Sequence, residues 1–178
     1  ETLRDNTVIL LCSDNGPEKG AGRSDPFRGS KAQLYEGGLR SPLLVWAPGL
    51  MQPEAIGTRN KTSLLAAIDI VPSLLALTGT AAPADTTYDG ENLAEVLLGV
   101  SKASREAPTF FSRPPDRKDY QGAKNLPDLA VRDGQWKLLC DYDGSRPELY
   151  NLNADRKESV NLADTHPEVT QRLMTEVR

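Results

Sequence analysis

An apolar run of six residues, Thr7–Cys12, constrains the fold of this chain more than any other feature. Val, Ile and Leu fill its centre without alternating with polar residues. An unbroken run of this length, bounded by turn residues, is typical of a strand buried on both faces of a parallel sheet. We therefore predict a buried parallel strand that ends at Ser13.

Asp14 and Asn15 follow this strand directly. Open α/β sheets bind ligands at the carboxyl ends of their strands. Carboxylate and amide oxygens are the donors that calcium and magnesium select, although two of them are only part of the roughly six to eight that calcium takes. Asp-Asn-Gly is also a common turn sequence, so a plain turn stays open as the alternative.

The loop that follows is locally basic, although the whole chain has a net charge of −4. Its cations are Lys19, Arg23, Arg28, Lys31 and Arg40. Glycines between them let the backbone approach an anion closely, and a lysine could donate to sulfate or phosphate oxygens. A solvated loop of mixed charge is the alternative.

The overall charge and length limit the function classes. An acidic chain of 178 residues has the size of one domain and lacks the positive field that nucleic acids or a polybasic membrane contact require. Its most apolar stretch, 63–79, is interrupted by Asp69 and Pro72, which makes it a poor membrane span and a reasonable buried helix.

The middle of the chain predicts two helices. The first covers Ile70–Thr78, with Asp69 as its N-cap and Gly79 at its end. The second, shorter helix covers Asn92–Leu98.

The last part predicts an antiparallel sheet and a helix. The candidate strands are Thr109–Ser112, Leu129–Arg132, Gln135–Cys140 and Glu148–Asn151. Asp133-Gly134 is a hairpin signal between the second and third strands. A final helix is expected to begin at Thr165, as its cap, with an apolar stripe of Val169, Leu173 and Val177. The charged, Pro-rich linker 113–125 is expected to be an exposed loop.

The residues that could act as nucleophiles or bases have no suitable partners. Cys12 and Cys140 have neither zinc nor CxxC spacing, and we expect both to be small buried residues within strands. His166 is the one histidine and is interpreted as structural. The residues alone therefore indicate a metal- and anion-binding segment without a nucleophile.

Several motifs in this order resemble the sulfatase family, of the alkaline phosphatase superfamily. They are Cys12-Ser-Asp-Asn-Gly-Pro17, Phe27-Arg-Gly-Ser-Lys31, Tyr35-Glu-Gly-Gly-Leu-Arg-Ser-Pro42, Ile68-Asp-Ile-Val-Pro-Ser-Leu-Leu75, Trp136-Lys-Leu138 and Glu148-Leu-Tyr-Asn-Leu152. The resemblance covers nearly the whole chain and implies the arylsulfatase and N-acetylgalactosamine-6-sulfatase type.

The resemblance implies an α/β fold. Residues 1–100 would be the C-terminal piece of an alkaline-phosphatase-like sandwich, and residues 101–178 a small α+β domain with a four-stranded antiparallel sheet and a C-terminal helix. It also implies that Asp14 and Asn15 bind calcium and that Lys31 contacts the substrate sulfate. Glu36 and Arg40, in the Tyr35–Arg40 motif, are interpreted as shaping the loop.

The resemblance further implies a formylglycine nucleophile, made from Cys or Ser in a Cys/Ser-x-Pro/Ala-x-Arg motif near the N-terminus of the full enzyme. We expect this chain to lack that motif, to hold an incomplete calcium site and to be inactive without the N-terminal half of the catalytic domain. The expected substrate is a sulfate ester, either a sulfated glycan or an aryl sulfate, and the parent is expected to be periplasmic or secreted.

Two alternatives stay open. The chain could be a standalone carbohydrate- or protein-binding module derived from a sulfatase C-terminal domain, or part of a related phosphohydrolase, against which Lys31 in its motif argues. Exposed strand edges and apolar faces would also favour oligomers of the fragment or a weakly ordered N-terminal section.

Overall fold

The computed structural model describes residues 3–114 and 125–177. Along the chain the helices and strands are β1 Ile9–Cys12, α1 Glu36–Leu39, β2 Leu43–Trp46, α2 Ile70–Thr78, α3 Ala94–Leu97, β3 Thr109–Ser112, β4 Leu129–Asp133, β5 Trp136–Cys140, β6 Glu148–Asn151 and α4 Pro167–Val177. Short 3-10 helices lie at Leu3–Asn6, Pro53–Ala55 and Ala67–Asp69. Within these described ranges, every helix is too short or too polar to cross a membrane.

The chain forms two compact units. One contains residues 3–12 and 43–106, and the other contains residues 13–42, 107–114 and 125–177. The predicted division into 1–100 and 101–178 does not follow these units, since 13–42 groups with the second half. As a division into domains it stays a prediction.

The first unit begins with a two-stranded sheet in which β1 pairs antiparallel with β2. The prediction of a parallel strand buried on both faces is therefore wrong: every residue of β1 except Leu10 is exposed. An apolar run indicates β structure, but the direction of a strand and the cover on its faces depend on residues elsewhere in the chain. Cys12 lies in this strand as predicted, but it is exposed rather than buried.

Helix α2 has the predicted bounds and ends at Gly79, which takes a left-handed φ of 63°. Asp69 occupies the N-cap position of α2 as predicted, but its side chain makes no capping hydrogen bond to that helix. Its carboxylate accepts the backbone N–H of Ala66 at 2.7 Å and of Glu91 at 2.9 Å, and it pairs with the buried guanidinium of Arg105. The carboxylate therefore ties three separate segments of the first unit together.

The second unit contains the predicted four-stranded antiparallel sheet, in the order β3-β4-β5-β6. The register pairs Asp133 with Trp136, so the hairpin loop is Gly134-Gln135, one residue later than predicted. Gly134 supplies the positive φ, 53°, that a tight hairpin turn needs.

Helix α4 packs on one face of this sheet. Its fully buried Leu173 joins Val131, Leu138 and Leu149 in one core cluster, and Val169 and Val177 pack against that cluster as the apolar stripe predicts.

The start of α4 differs from the prediction. The Thr165 hydroxyl donates to the carbonyl of Leu162 at 3.1 Å, and the His166 carbonyl accepts the first helical bond, from Thr170. Pro167 has no N–H to satisfy and its φ suits the first helical position, which makes His166 the cap.

The other face of the sheet is covered by the segment before and within α1. Leu34 and Tyr35 pack against Ala130, Leu139 and Tyr150. The central strands are thus buried on both faces, and Cys140 is buried within β5 as predicted. Residues 115–124 of the predicted linker loop lie outside the described residues.

Candidate metal- and anion-binding site

Asp14 and Asn15 lie directly after β1, in the second unit. Asp14 is exposed, and its carboxylate makes no hydrogen bond or ion pair within the described residues. The Asn15 amide donates to the carbonyl of Gly16 at 2.8 Å, and Ser13 donates its hydroxyl to the carbonyl of Asn15 at 2.8 Å. A local turn thus shapes the segment, and both side chains keep an oxygen for a ligand.

Lys31 lies against the same segment. Its backbone N–H donates to the carbonyl of Pro17 at 2.9 Å, and its ammonium is 3.5 Å from the carboxylate of Glu18. The two side chains are 44% and 62% exposed, so water weakens this ion pair and the lysine can exchange Glu18 for an anion. Lys31 is therefore brought to the loop that carries Asp14 and Asn15.

Close contacts between glycines make this arrangement possible. Gly16 donates its N–H to the carbonyl of Gly38 at 2.8 Å. A Cβ on Gly16 would lie 1.9 Å from the carbonyl oxygen of Gly37, and one on Gly37 would lie 2.4 Å from that of Gly29. The backbones touch at distances that no side chain permits.

A buried charge network anchors α1, which contains Gly37 and Gly38. The ammonium of Lys137 contacts Glu36 at 3.0 Å and Glu158 at 2.8 Å, and Arg132 contacts Glu36 at 3.2 Å. Arg40 adds a longer contact to Glu36 at 3.7 Å, which agrees with the interpretation of this pair as loop-shaping.

The pKa values of the two carboxylates in this network are shifted in opposite directions. Burial tends to raise the pKa of Glu36, but Lys137, Arg132 and Arg40 outweigh it and lower that pKa overall. Burial likewise raises the pKa of Glu158, and there Lys137 compensates only in part. The network therefore favours the ionised form of Glu36 more strongly than that of Glu158.

A second cluster engages Arg28. Its guanidinium lies 3.8 Å from the centre of the Tyr35 ring and donates to the Tyr150 hydroxyl at 2.9 Å and to Glu148 at 3.3 Å. Burial, followed by Glu148, raises the pKa of Tyr35. Arg28 thus has protein partners on several sides, which leaves Lys31 as the better candidate for an anion.

The expectation that the chain lacks a Cys/Ser-x-Pro/Ala-x-Arg sequence is wrong, because two segments match this residue pattern. Ser24-Asp-Pro-Phe-Arg28 and Ser101-Lys-Ala-Ser-Arg105 both fit that short pattern. The Ser24 hydroxyl donates to the carbonyl of Gly29 at 2.7 Å, and Ser101 accepts the N–H of Ala103 at 3.0 Å. Both hydroxyls shape local turns. The arginines of the two segments have protein partners, since Arg28 donates to Tyr150 and Arg105 pairs with Asp69.

The donors present fit part of a calcium shell. Asp14 and Asn15 offer the hard oxygens that calcium prefers. Among residues 3–114 and 125–177, no group of three or more His, Cys, Asp or Glu is placed to hold a metal ion. A complete shell therefore needs further donors.

A separate cleft of about 370 Å³ lies between residues 125–128, which precede β4, and residues 141–146, which follow β5. Asp128, Asp141 and Arg146 line it, and Arg146 and Asp141 form a paired contact at 2.6 and 2.7 Å. Asp128 pairs with Arg113 at 3.4 Å, and none of the predicted site residues lines the cleft.

No pattern in the sequence indicates the role of Glu158, because its partners Glu36 and Lys137 are distant in the chain. For Lys137 a signal existed: a lysine between Trp136 and Leu138, inside an apolar strand, needs a buried counter-charge.

Comparisons with known proteins agree on one family. The sulfatase family model matches residues 1–80. The chain is 32% identical to an N-acetylgalactosamine-6-O-sulfatase of Bacteroides thetaiotaomicron and 32% identical to arylsulfatase A of Homo sapiens, each over 96% of its length. It covers 35% and 37% of those proteins, so it spans about a third of the length of the curated relatives it matches.

Solved structures give the same result. One from Bacteroides thetaiotaomicron, described with the metabolism of multiple glycosaminoglycans, aligns with a TM-score of 0.76 at 30% identity. The alignment covers 98% of this chain and 38% of that one.

Proposed function

Because this chain belongs to the sulfatase family, we propose that it is the C-terminal part of a sulfuric ester hydrolase and contributes calcium and sulfate contacts to the active site. The observation that carries the proposal is the attachment of Lys31 to the Asp14–Pro17 loop by the 2.9 Å hydrogen bond from its N–H to Pro17. That bond attaches the backbone of Lys31, whose side chain is 44% exposed, to the loop that carries Asp14 and Asn15, which supports a role for the three residues in one site.

In this proposal Lys31 binds a sulfate oxygen. Negative charge builds on the sulfate and the leaving oxygen as the ester bond breaks, and a positioned cation stabilises it more in the transition state than in the ground state. Asp14 and Asn15 would hold calcium, which when bound supplies a divalent charge to the same oxygens. The nucleophile and the remaining calcium donors would come from the part of the relatives that this chain does not span.

The proposed substrate class is sulfated glycans, with aryl sulfates as simple substitutes. The name of one relative, N-acetylgalactosamine-6-O-sulfatase, supports a sulfated sugar. An exported parent, periplasmic or secreted, belongs to the same proposal. The coding sequence upstream of Glu1 tests it, since a signal peptide encoded there supports export and its absence contradicts it.

The decisive experiment uses the full-length parent protein and a chromogenic aryl sulfate, followed by sulfated N-acetylgalactosamine. We expect Lys31→Ala to lower kcat/KM by about a hundredfold or more. Lys19→Ala removes a cation from the same loop and serves as the matched control, with activity within twofold of wild type. Equal activity of the two variants would remove Lys31 from the site.

The chain alone gives a second test. We expect no turnover of the aryl sulfate with calcium present, and calcium binding too weak for calorimetry at micromolar concentration, because two donors do not complete the shell. Turnover, or micromolar affinity, would contradict the proposed division of the site. A reading frame that starts near Glu1 without an upstream sulfatase half would instead favour a binding module.

A further inference from the structure

We infer that Lys137 is a positioning residue for the proposed site: through Glu36 it fixes the backbone segments that carry Asn15 and Lys31. The inference rests on the proposed function, because it concerns the site in which Asn15 and Lys31 would act.

Lys137 lies in the middle of β5 and is fully buried, with 0% of its side chain exposed. A buried ammonium persists only where carboxylates compensate for its lost hydration. Glu36 and Glu158 do so at 3.0 and 2.8 Å, and Arg132 balances the second negative charge. None of these groups can move away without leaving a buried charge unpaired.

Glu158 also holds the backbone of Glu36. Its Oε2 accepts the N–H of Glu36 at 2.7 Å. Glu36 is thus held by its side chain, through Lys137, and by its backbone, through Glu158. The start of α1 consequently has one position relative to β5.

Gly38 links α1 to the segment that carries Asn15. Its carbonyl accepts the N–H of Gly16 at 2.8 Å. Gly16 also lies so close to Gly37 that a Cβ would be 1.9 Å from the Gly37 oxygen. Asn15 precedes Gly16 directly, so a shift of α1 moves the proposed metal donor.

The same glycine pair contacts the segment that carries Lys31. A Cβ on Gly38 would lie 2.5 Å from the carbonyl oxygen of Ser30, the residue before Lys31. The N–H of Gly37 donates to the carbonyl of Arg28 at 2.7 Å. Asn15 and Lys31 are therefore each adjacent in the chain to a residue whose backbone contacts α1, the helix that Lys137 anchors.

Leu138 provides a matched control, because its replacement lowers the stability of the same strand without removing the contacts of Lys137. It is the next residue of β5, it is equally buried, and it packs on the opposite face of the sheet with Leu173 of α4. Leu138→Ala opens a cavity there and lowers the melting temperature without touching Glu36.

The experiment compares Lys137→Met and Leu138→Ala in the full-length parent enzyme, at a temperature at which both are folded. We expect Lys137→Met to weaken calcium affinity and lower kcat, each by at least about tenfold, as loss of a group that orients metal ligands does. Leu138→Ala should leave both within twofold. Equal values of calcium affinity and kcat for the two variants would overturn the inference.

A milder variant covers the case in which Lys137→Met does not fold. Glu158→Asp keeps the charge and withdraws the carboxylate by one methylene, so it should lose calcium affinity and kcat in the same sense. Glu158→Asp with wild-type calcium affinity and kcat would contradict the positioning role.

Hydrogen exchange separates this inference from the proposed function. The amide hydrogens of Gly16 and Lys31 should lose protection in Lys137→Met and keep it in Leu138→Ala. If the wild-type parent hydrolyses no sulfate ester, the proposed function fails, and this exchange result still decides whether Lys137 positions the two segments. If the amide hydrogens of Gly16 and Lys31 keep their protection in Lys137→Met, the positioning role is contradicted, whatever the enzymatic activity of the variant.

Discussion

Glu36 and Glu158 share one ammonium, yet their pKa values move in opposite directions. Glu36 faces Lys137, Arg132 and Arg40, and these cations together overcome the effect of burial. Glu158 has one close cation, and the charge of Glu36 adds to the effect of burial. The number of cations around a buried carboxylate, more than its depth, therefore sets the direction of its pKa shift here.

The lowered pKa of Glu36 predicts a loss of stability in acid. Its ordinary value is 4.5, so its ionised form stabilises the fold above that pH, and the contribution disappears as the pH falls through the lower folded pKa. Glu158 acts with the opposite sign, since a raised pKa gives stability at low pH that is lost as the pH rises through it.

The variant Glu36→Gln isolates the first effect. At pH 7 we expect it to lower the free energy of unfolding by about 3–5 kcal/mol, because it leaves a buried ion network incomplete. Urea unfolding followed by circular dichroism should show the gap to wild type closing below about pH 4.5. Exposed Glu54→Gln is the control, and a gap that stays constant down to pH 3 would contradict the assignment.

At the scale of elements, local signals determined the bounds of α2, while long-range contacts determined the direction and exposure of β1. Pro72 in the first turn and Gly79 after the last residue indicate α2 in the sequence, and the prediction of that helix was confirmed. The direction and exposure of β1 depend on β2, beyond the 13–42 loop, and were predicted wrongly.

The candidate site divides in the same way. Asp14, Asn15 and Lys31 could be proposed from motifs and donor chemistry, and their roles remain predictions. The contact of Lys137 with Glu36 joins residues 101 positions apart, which no local pattern specifies. A lysine within an apolar strand indicates that a partner must exist, but it does not identify that partner.

The packing of α4 on the sheet gives a prediction at this scale. Leu173 is fully buried between Val131, Leu138 and Leu149, so Leu173→Ala should lower the free energy of unfolding by about 2–5 kcal/mol. Exposed Gln171→Ala, on the same helix, should change it by less than about 0.5 kcal/mol. Equal urea midpoints for the two variants would show that α4 does not contribute to this core.

At the scale of the whole molecule, the sheet of β1 and β2 exposes an apolar face. The register places Ile9 opposite Trp46 and Leu11 opposite Leu44, so the four side chains share one side of the sheet. They are 53%, 45%, 62% and 57% exposed, respectively. A contiguous apolar patch on a sheet with free strand edges is a favourable surface for association.

We therefore expect the chain alone to self-associate as its concentration rises, which sedimentation velocity can measure. The double variant Leu11→Lys/Leu44→Lys places two like charges on opposing strands and should shift the distribution toward monomer, because the charges must lose water to be covered. Leu3→Lys, at an exposed residue outside the sheet, is the control and should leave association unchanged. A wild-type chain that stays monomeric across the concentration series, or equal association of the two variants, would show that this face is not what brings chains together.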